Sequence, residues 1–283
     1  MADILKGVPV GKEISDKLTD TINQIKAKGV TPSITVLRLG ENPDDMFYES
    51  SVLKKFAKYS LEARTLTLPK DISEMELVGE IQKLNADSTT HGVLMMRPLP
   101  KHIDEKKICS LLNPEKDSDG ITEYSMSKIY SGEKDVFAPC TAEACIEMLK
   151  FYNRDIKGKN VAVLGRSLVI GKPVAMLLVS ESATVTICHS KTADIKSLCQ
   201  NADIIISAIG KAKFVTAEFV KPHQTIIDVG INYDEAGNLV GDVDFDNVEP
   251  IVKAISPVPG GVGSITTSVL MRHVVNAALR TIK

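Results

Sequence analysis

Residues 160–173 read NVAVLGRSLVIGKP, and this stretch decides the fold of the second half of the chain. The apolar run NVAVL is followed by a turn that opens at Gly165, and Gly171 stands where a helix is expected to begin. Glycine permits a tight turn and lets the backbone approach another backbone or a phosphate closely. The pattern predicts the strand, turn and helix of a dinucleotide-binding unit. Its spacing is not G-x-G-x-x-G, so the turn alone is weak evidence for a nucleotide.

Similar apolar, β-branched runs recur along the chain between segments with helical periodicity. Strands are predicted at 34–39, 92–96, 160–165, 184–188, 203–210 and 225–231, and helices near 11–28, 46–60, 73–86, 142–153, 171–182, 193–200 and 267–281. The order Ser73-Glu74-Met75-Glu76 is a capping box, which marks the start of a helix. Strands that alternate with helices and are almost continuously apolar predict a parallel sheet covered on both faces.

The predicted elements form two α/β domains, and the second has a Rossmann-type parallel sheet. The loop-like segment SGEKDVFAPCT at 131–141 is the expected crossing point. We assign residues 1–139 and 264–283 to the first domain, because the final helix is expected to return to it. Residues 140–263 are assigned to the second domain.

Composition excludes several classes of protein. Hydrophobic residues make up 43% of the 283 and charged residues 25%, which is enough apolar material for a sizeable core. The net charge of -2 argues against nucleic-acid binding, and no apolar run approaches the about 20 residues of a membrane span. The N-terminus lacks the apolar segment of a secretory signal. Five cysteines without C-x-x-C spacing predict free thiols in the cytoplasm, and scattered histidines predict no metal site.

The end of the strand predicted at 184–188 bears on the choice of dinucleotide. NAD enzymes usually place an acidic residue about 20 residues after the first turn, where it accepts the ribose 2′-hydroxyl. Here the strand ends in CHSKT at 188–192, and the first carboxylate is Asp194. Arg166, Ser190 and Lys191 would suit a 2′-phosphate. A solvated basic loop is the alternative reading, but the two turns together favour NADP over NAD.

Several stretches together resemble the methylenetetrahydrofolate dehydrogenase/cyclohydrolase family of one-carbon metabolism. They are GENP at 40–43 with Tyr48, PLP at 98–100, PEKDSDG at 114–120, PCT at 139–141, GRSLVIGKP at 165–173, CHSKT at 188–192, DVGIN at 228–232 and PVPGGVG at 257–263. The resemblance implies two α/β domains with a cleft between them and a homodimer formed through the cofactor domains. It also implies oxidation of 5,10-methylenetetrahydrofolate with NADP, followed by addition of water to give 10-formyltetrahydrofolate.

The resemblance further implies roles for individual residues. Tyr48 is expected to pack on the folate and Asp119 to bond its pterin, and both belong to the expected catalytic set. The other expected substrate-binding residues are Pro259, Gly260 and Gly261, and the expected cofactor-binding residues are Gly165, Arg166, Ser167, Ser190 and Ile231. Hydride transfer needs little acid–base help, because a folate nitrogen stabilises the developing cation and the protein chiefly positions the reactants.

Two positions depart from the family pattern. Position 52, four residues after Tyr48, is Val where the family pattern has the lysine that supports water addition. Position 96 is Met where the pattern has the glutamine that positions this lysine. The two changes are coupled, because a buried amide that lost its lysine partner would be left unsatisfied. The sequence therefore predicts an NADP-dependent dehydrogenase whose cyclohydrolase activity is weak or absent.

Three nearby cations are candidate replacements for the missing lysine. Lys55 returns to within about 20° of the Tyr48 face of the helix, and its side chain is expected to lean back toward Val52, so it is kept as a catalytic candidate. Lys54 points away from that face, and Arg97 stands beside Met96 and is alternatively a contact for the folate glutamate tail. Two alternatives stay open: a fully bifunctional enzyme and a non-catalytic folate- or nucleotide-binding paralogue.

Overall fold

Strands and helices alternate along the chain, as the computed structural model shows for residues 1–282. The strands are β1 (Asp3–Ile4), β2 (Ser33–Leu39), β3 (Glu62–Leu68), β4 (Gly92–Met95), β5 (Asn160–Leu164), β6 (Thr184–Cys188), β7 (Ile204–Ser207), β8 (Thr225–Asp228), β9 (Asn232–Tyr233), β10 (Leu239–Val240) and β11 (Ala254–Ile255). The helices are α1 (Gly7–Asp16), α2 (Thr19–Ala27), α3 (Pro43–Lys58), α4 (Glu74–Ala86), α5 (Glu105–Leu111), α6 (Glu123–Ser131), α7 (Cys140–Phe151), α8 (Gly171–Ser180), α9 (Ile195–Gln200), α10 (Phe245–Val248) and α11 (Gly263–Arg280). Short 3-10 turns cover Pro114–Lys116 and Ala217–Phe219.

The chain divides into two compact units, which we name by their sheets. The six-stranded unit comprises residues 1–12, 129–134 and 139–266. The three-stranded unit comprises residues 13–128 and 135–138 and the described residues from 267 onward. Each unit has an α/β fold with its own parallel sheet.

The six-stranded unit has the strand order β1-β11-β8-β7-β5-β6, with every pair parallel. The strands β7 and β8 are buried along their whole length, as expected for central strands covered on both faces. The chain order reverses at β5, because β6 lies on one side of it and β7 on the other. In open α/β sheets, ligands bind outside the carboxyl ends of the strands at such a reversal.

The three-stranded unit has the order β3-β2-β4, again parallel. The chain passes from β2 to β3 through α3 and then crosses to the other side of β2 through α4. Because such crossovers are right-handed, α3 and α4 lie on opposite faces of the sheet. Leu37, Val93 and Met95 pack with α4 and α5 in one apolar cluster, which identifies the α4 face.

Every predicted strand is present within one to three residues, and the capping box is confirmed. Ser73 Oγ accepts a hydrogen bond from the Glu76 N–H (3.2 Å), and Glu76 Oε2 accepts one from the Ser73 N–H (3.0 Å). The strand β3 was missed because its sequence, EARTLTL, is polar and only half-buried, as suits an edge strand. The single helix predicted at 11–28 is two helices, and the break falls at Leu18, which is buried.

The N-terminal residues belong to a different unit from the one expected. The sequence placed residues 1–12 in the first domain, whereas β1 pairs with β11 of the six-stranded sheet. The Asp3 N–H donates to the Lys253 carbonyl and the Leu5 N–H to the Ile255 carbonyl, both at 2.9 Å. A two-residue strand carries no periodicity, so its partner could not be read locally.

A buried ion pair anchors the first half of α3 to its sheet. Arg38 Nε donates to Glu49 Oε2 at 2.8 Å, and the two side chains are 8% and 14% exposed. Arg38 also donates to the Gly40 carbonyl and to Thr67 Oγ1. One guanidinium therefore joins α3, the end of β2 and the edge strand β3. Among residues 1–282, no helix has the length and apolar character needed to cross a membrane.

Replacing Glu49 by alanine is expected to destabilise the protein by about 3 kcal/mol, because it leaves the buried Arg38 guanidinium without its counter-charge. The measurement is urea unfolding followed by circular dichroism. The matched control is Glu13→Ala, which breaks an exposed pair with Lys17 and should cost no more than about 0.5 kcal/mol. Equal losses in the two variants would contradict the anchoring role of Arg38.

Candidate functional site

The turn after β5 can be built only with glycine. Gly165 has φ +116°, and a Cβ at this position would lie 2.2 Å from the Ala208 carbonyl oxygen. At Gly171 a Cβ would lie 2.3 Å from the Gly165 carbonyl oxygen. The turn is therefore pressed between the loop after β7 and the first residue of α8, and a side chain at either glycine would force them apart.

The expected cofactor residues of this turn stand at the N-terminus of α8. Ser167 Oγ accepts hydrogen bonds from the N–H groups of Ile170 (3.1 Å) and Gly171 (3.4 Å), so it supports the residues that open the helix and keeps its own proton to donate. Arg166 is exposed. The positive end of the helix dipole and a guanidinium together favour an anion at this place.

The loop after β6 lies beside this turn. Leu164 and Cys188 are register partners, and the Gly165 N–H donates to the Cys188 carbonyl at 2.9 Å. The loop is closed on itself: the His189 N–H donates to Thr192 Oγ1 and the Lys191 N–H donates to His189 Nδ1. Ser190 is exposed on it. Thus four of the five predicted cofactor residues stand on neighbouring loops, and the fifth, Ile231, lies along the same edge after β8 and is 71% exposed.

Sequence reasoning missed two buried carboxylates behind this edge, Asp228 and Asp242. Asp242 is fully buried and accepts hydrogen bonds from the N–H groups of residues 209, 210 and 211 and from Asn232 Nδ2. Asp228, which is 4% exposed, accepts bonds from the N–H groups of residues 230, 242 and 243. Burial raises the pKa of Asp228 to about 6, and the neighbouring Asp242 adds to the effect.

A signal for this pair was present in the sequence. Each carboxylate stands near a glycine, in DVG at 228–230 and in GD at 241–242. A Cβ at Gly230 would lie 2.4 Å from the Asp242 nitrogen, and one at Gly241 would lie 1.9 Å from Asp228 Oδ2. Glycine is needed at both positions because a buried carboxylate occupies the space where a side chain would lie.

In the three-stranded unit, Val52 and Met96 lie on one side of the sheet. Val52 is fully buried in α3, and Met96 is 7% exposed. The Met96 N–H donates to the Leu37 carbonyl, so the ladder continues one residue past β4. Met95 faces α4, and strand alternation therefore turns Met96 toward the α3 face. The two positions that depart from the family pattern share an apolar layer.

None of the three cations considered as replacements is directed at that layer. Lys54 is exposed, and Arg97 Nη1 lies 3.7 Å from Glu105 Oε1 of α5, across the sheet from α3. The expected lean of Lys55 toward Val52 is wrong: its Nζ lies 5.6 Å from the centroid of the Tyr59 ring, one turn further toward the C-terminus. The ring face and the charge of Asp16 attract the ammonium there, and burial is the main cause of its lowered pKa.

The expected catalytic residues Tyr48 and Asp119 lie in the same unit. Tyr48 is half-buried and precedes the anchored Glu49. Asp119 follows Asp117, which bridges to Val93 of β4 and accepts bonds from the N–H groups of residues 121 and 122 and from Ser125 Oγ. That network fixes the segment from which Asp119 emerges, half-buried, at the sheet edge.

The residues Pro259, Gly260 and Gly261 form a turn in the six-stranded unit. The Gly7 N–H donates to the Gly260 carbonyl at 2.8 Å, and a Cβ on Gly7 would lie 2.0 Å from the Gly261 carbonyl oxygen. The turn therefore packs on the start of α1. Gly260 has φ +94°, and Pro259 and Gly260 are exposed while Gly261 is buried.

Metal chemistry has no candidate centre in the part of the chain that the structure describes: no three His, Cys, Asp or Glu residues are grouped to hold an ion. The parallel sheet with a reversal at β5, the glycine turn and the anion-favouring end of α8 define the class: this is an α/β protein with a dinucleotide-binding unit. The chain belongs to the tetrahydrofolate dehydrogenase/cyclohydrolase family. The model of that family's NAD(P)-binding domain matches residues 139–282, and the model of its catalytic domain matches residues 5–119.

Relatives match the chain over almost its whole length. The bifunctional protein FolD of Carboxydothermus hydrogenoformans is 46% identical over 279 residues, which are 98% of this chain and 97% of that protein. The crystal structure of the bifunctional enzyme FolD from Campylobacter jejuni has a TM-score of 0.96 at 33% identity and covers 99% of this chain and 100% of its own. The Trypanosoma brucei FolD, solved with NADP cofactor and an inhibitor, has a TM-score of 0.94 at 34% identity, with 100% and 99% covered.

Replacing Gly165 by alanine is expected to destabilise the protein by at least about 2 kcal/mol, because strain at positive φ adds to the collision with the Ala208 carbonyl. Thermal unfolding measures the loss, and dinucleotide titration measures binding. The control is Gly158→Ala, where φ is +74° but no atom lies within 4 Å of the added Cβ. It should cost about 1 kcal/mol and leave dinucleotide affinity unchanged. Indistinguishable variants would show that close packing of this turn is unimportant.

Proposed function

We propose that this protein oxidises 5,10-methylenetetrahydrofolate to 5,10-methenyltetrahydrofolate in one-carbon metabolism, with NADP as the hydride acceptor. The observation that carries the proposal is the pair of neighbouring loops at the reversal of the sheet, one with the exposed Arg166 and the other with the exposed Ser190, in a chain of this family. When bound, NADP accepts the hydride. The protein's share is to hold donor carbon and acceptor in contact, which is where most of the rate advantage of such a step lies.

The role of the first carboxylate after β6 supports NADP over NAD. Asp194, the first carboxylate after β6, accepts a hydrogen bond from the Ser197 N–H at 2.9 Å and so caps α9. It is thereby engaged away from a ribose hydroxyl. Arg166 and Ser190 can pair with a 2′-phosphate, and the Trypanosoma brucei relative was solved with NADP.

On the substrate side, Tyr48 and Asp119 are proposed as the groups that contact the folate, and Pro259, Gly260 and Gly261 as further contacts. The Arg38–Glu49 pair holds the helix that carries Tyr48, and the Asp117 network holds the segment that carries Asp119. Lys55 stays a proposed catalytic residue only if its ammonium leaves the Tyr59 ring. These two anchors fix the backbone that carries Tyr48 and Asp119, as positioning of two reactants requires.

Two proposals for the second activity each have one observation in their favour. The relatives are named as bifunctional, which favours the alternative of a full dehydrogenase and cyclohydrolase that yields 10-formyltetrahydrofolate. The buried Val52 and Met96 favour a dehydrogenase with little cyclohydrolase activity. The comparisons weigh more on the bifunctional side. In that case the group that activates water must come from outside positions 52 and 96.

We also propose a cytoplasmic homodimer, as the family resemblance implies. All five cysteines are free and buried, which suits a reducing compartment, and burial raises the pKa of Cys199 to about 12. A monomeric mass in sedimentation would contradict the dimer.

Two assays on one preparation test the proposed function. NADPH formation from 5,10-methylenetetrahydrofolate is expected, with NAD at least about tenfold poorer in kcat/KM because Arg166 loses its phosphate partner. Decay of the methenyl absorbance above the buffer rate reports the cyclohydrolase and separates the two proposals for it. Saturable NADP binding without turnover would favour the non-catalytic alternative and reject the dehydrogenase.

The double variant Val52→Lys, Met96→Gln tests whether the apolar layer is the reason for any missing cyclohydrolase. It restores a polar pair on one face of the sheet, and methenyl hydrolysis is expected to rise at least about tenfold over the parent. The single variant Val52→Lys is the matched control, since its ammonium lacks the amide and should give less. An unchanged hydrolysis rate in a folded double variant would show that water is activated elsewhere.

A further inference from the structure

We propose that Asp242 is a positioning residue for the cofactor, because one buried carboxylate holds two loops of the dinucleotide-binding edge at once. The proposal rests on the proposed function only in that NADP binds along this edge. Asp242 is fully buried and is reached by the chain through the β9–β10 hairpin, which carries it beneath the ends of β7 and β8. It touches no proposed ligand position itself.

The first loop that Asp242 holds is the one after β7. The N–H groups of Ile209, Gly210 and Lys211 all donate to its carboxylate, at 2.6, 3.2 and 2.9 Å. Consecutive N–H groups turned toward one point form an anion-binding concavity, and here the protein's own carboxylate fills it. The loop is thereby fixed with the Ala208 carbonyl against Gly165. Asp242 thus sets the surface on which the cofactor turn rests.

The second loop is the one after β8, which carries Ile231. Asn232 Nδ2 donates to Asp242 Oδ1 at 3.0 Å, immediately after Ile231 in the chain. Asp228 supports the same place from below, because its Oδ1 accepts bonds from the N–H groups of Gly230 and Asp242. Ile231 is 71% exposed, so this backbone anchorage holds a residue that packing does not hold.

A neutral amide cannot replace the carboxylate. Asp242 Oδ2 accepts from residues 209 and 210, and Oδ1 accepts from residue 211 and Asn232. Asparagine would present an NH₂ group to one of these two donor pairs in either orientation, leaving buried donors unsatisfied. In one orientation the loop after β7 loses two of its three bonds, and in the other each loop loses one, while the fold of the sheet is kept.

The test is Asp242→Asn in the full-length protein, with NADP binding measured by calorimetry and both Michaelis constants measured by NADPH absorbance. The Kd for NADP is expected to rise at least about tenfold, because two buried hydrogen bonds are lost. The kcat at saturating NADP and the KM for 5,10-methylenetetrahydrofolate should stay within about twofold of the parent. This split separates positioning of the cofactor from a general loss of structure.

The matched control is Gln224→Leu, at the opposite, amino end of β8. Gln224 is also fully buried and polar: its Nε2 donates to the carbonyls of Cys199 and Ala202, and its Oε1 accepts from the Lys221 N–H. The change should lower the unfolding temperature as Asp242→Asn does, yet leave the Kd for NADP unchanged. Asn232→Ala, which removes one arm only, should weaken NADP binding by a smaller factor and serves if Asp242→Asn does not fold.

The possible results distinguish a failure of the positioning role from a failure of the proposed function. Saturable NADP binding by the parent with unchanged affinity in Asp242→Asn or in Asn232→Ala overturns the positioning role and leaves the proposed function standing. Equal weakening by Gln224→Leu likewise overturns it, because the effect would then follow stability. A parent protein that binds no NADP overturns both the proposed function and this inference.

Discussion

The Gly165 backbone passes so close to the Ala208 carbonyl that no side chain fits between them, and the arrangement of the dinucleotide-binding edge depends on this approach. It sets the turn against the loop after β7 on one side and against the Cys188 carbonyl on the other. The start of α8 is then brought to the reversal of the sheet, where Ser167 binds its first N–H groups and the positive end of its dipole lies. A wider turn would move the end of the helix dipole away from the reversal of the sheet at β5.

Both units hold their functional loops with buried charged groups rather than with apolar packing alone. In the six-stranded unit, carboxylates gather backbone N–H groups from loops that are distant in sequence. In the three-stranded unit, Arg38 gathers a carboxylate, a carbonyl and a hydroxyl from three elements. Burying a charge is unfavourable unless its bonding capacity is met, so each group tolerates little displacement of its partners. In this way, loops that must be exposed to bind a ligand are held in one conformation.

The sequence predicted the features that depend on residues close together in the chain. The apolar strands, the Ser73 capping box and the glycine turn at 165 are each specified by residues within a few positions of one another. The edge strand β3 has a polar, half-buried sequence, and β1 is too short to show a period. The loop after β7 that Asp242 holds is more than 30 residues away in the chain, so the sequence showed the glycine beside Asp242 but not the loops it holds. The predicted direction of the Lys55 side chain was wrong, because a flexible side chain follows its nearest charges and rings rather than a rotamer average.

The placement of Arg97 limits how this chain could retain a second activity. Strand alternation turns Met96 to the α3 face, and the next residue turns to the other face, where Arg97 meets Glu105. A cation that stands across a sheet from a site cannot activate water there without unpairing from Glu105 and crossing the sheet edge. Val52 and Met96 are both buried and apolar, so a polar residue at only one of these positions would be a buried group without a partner. A lysine–glutamine pair at these two positions would therefore require two changes.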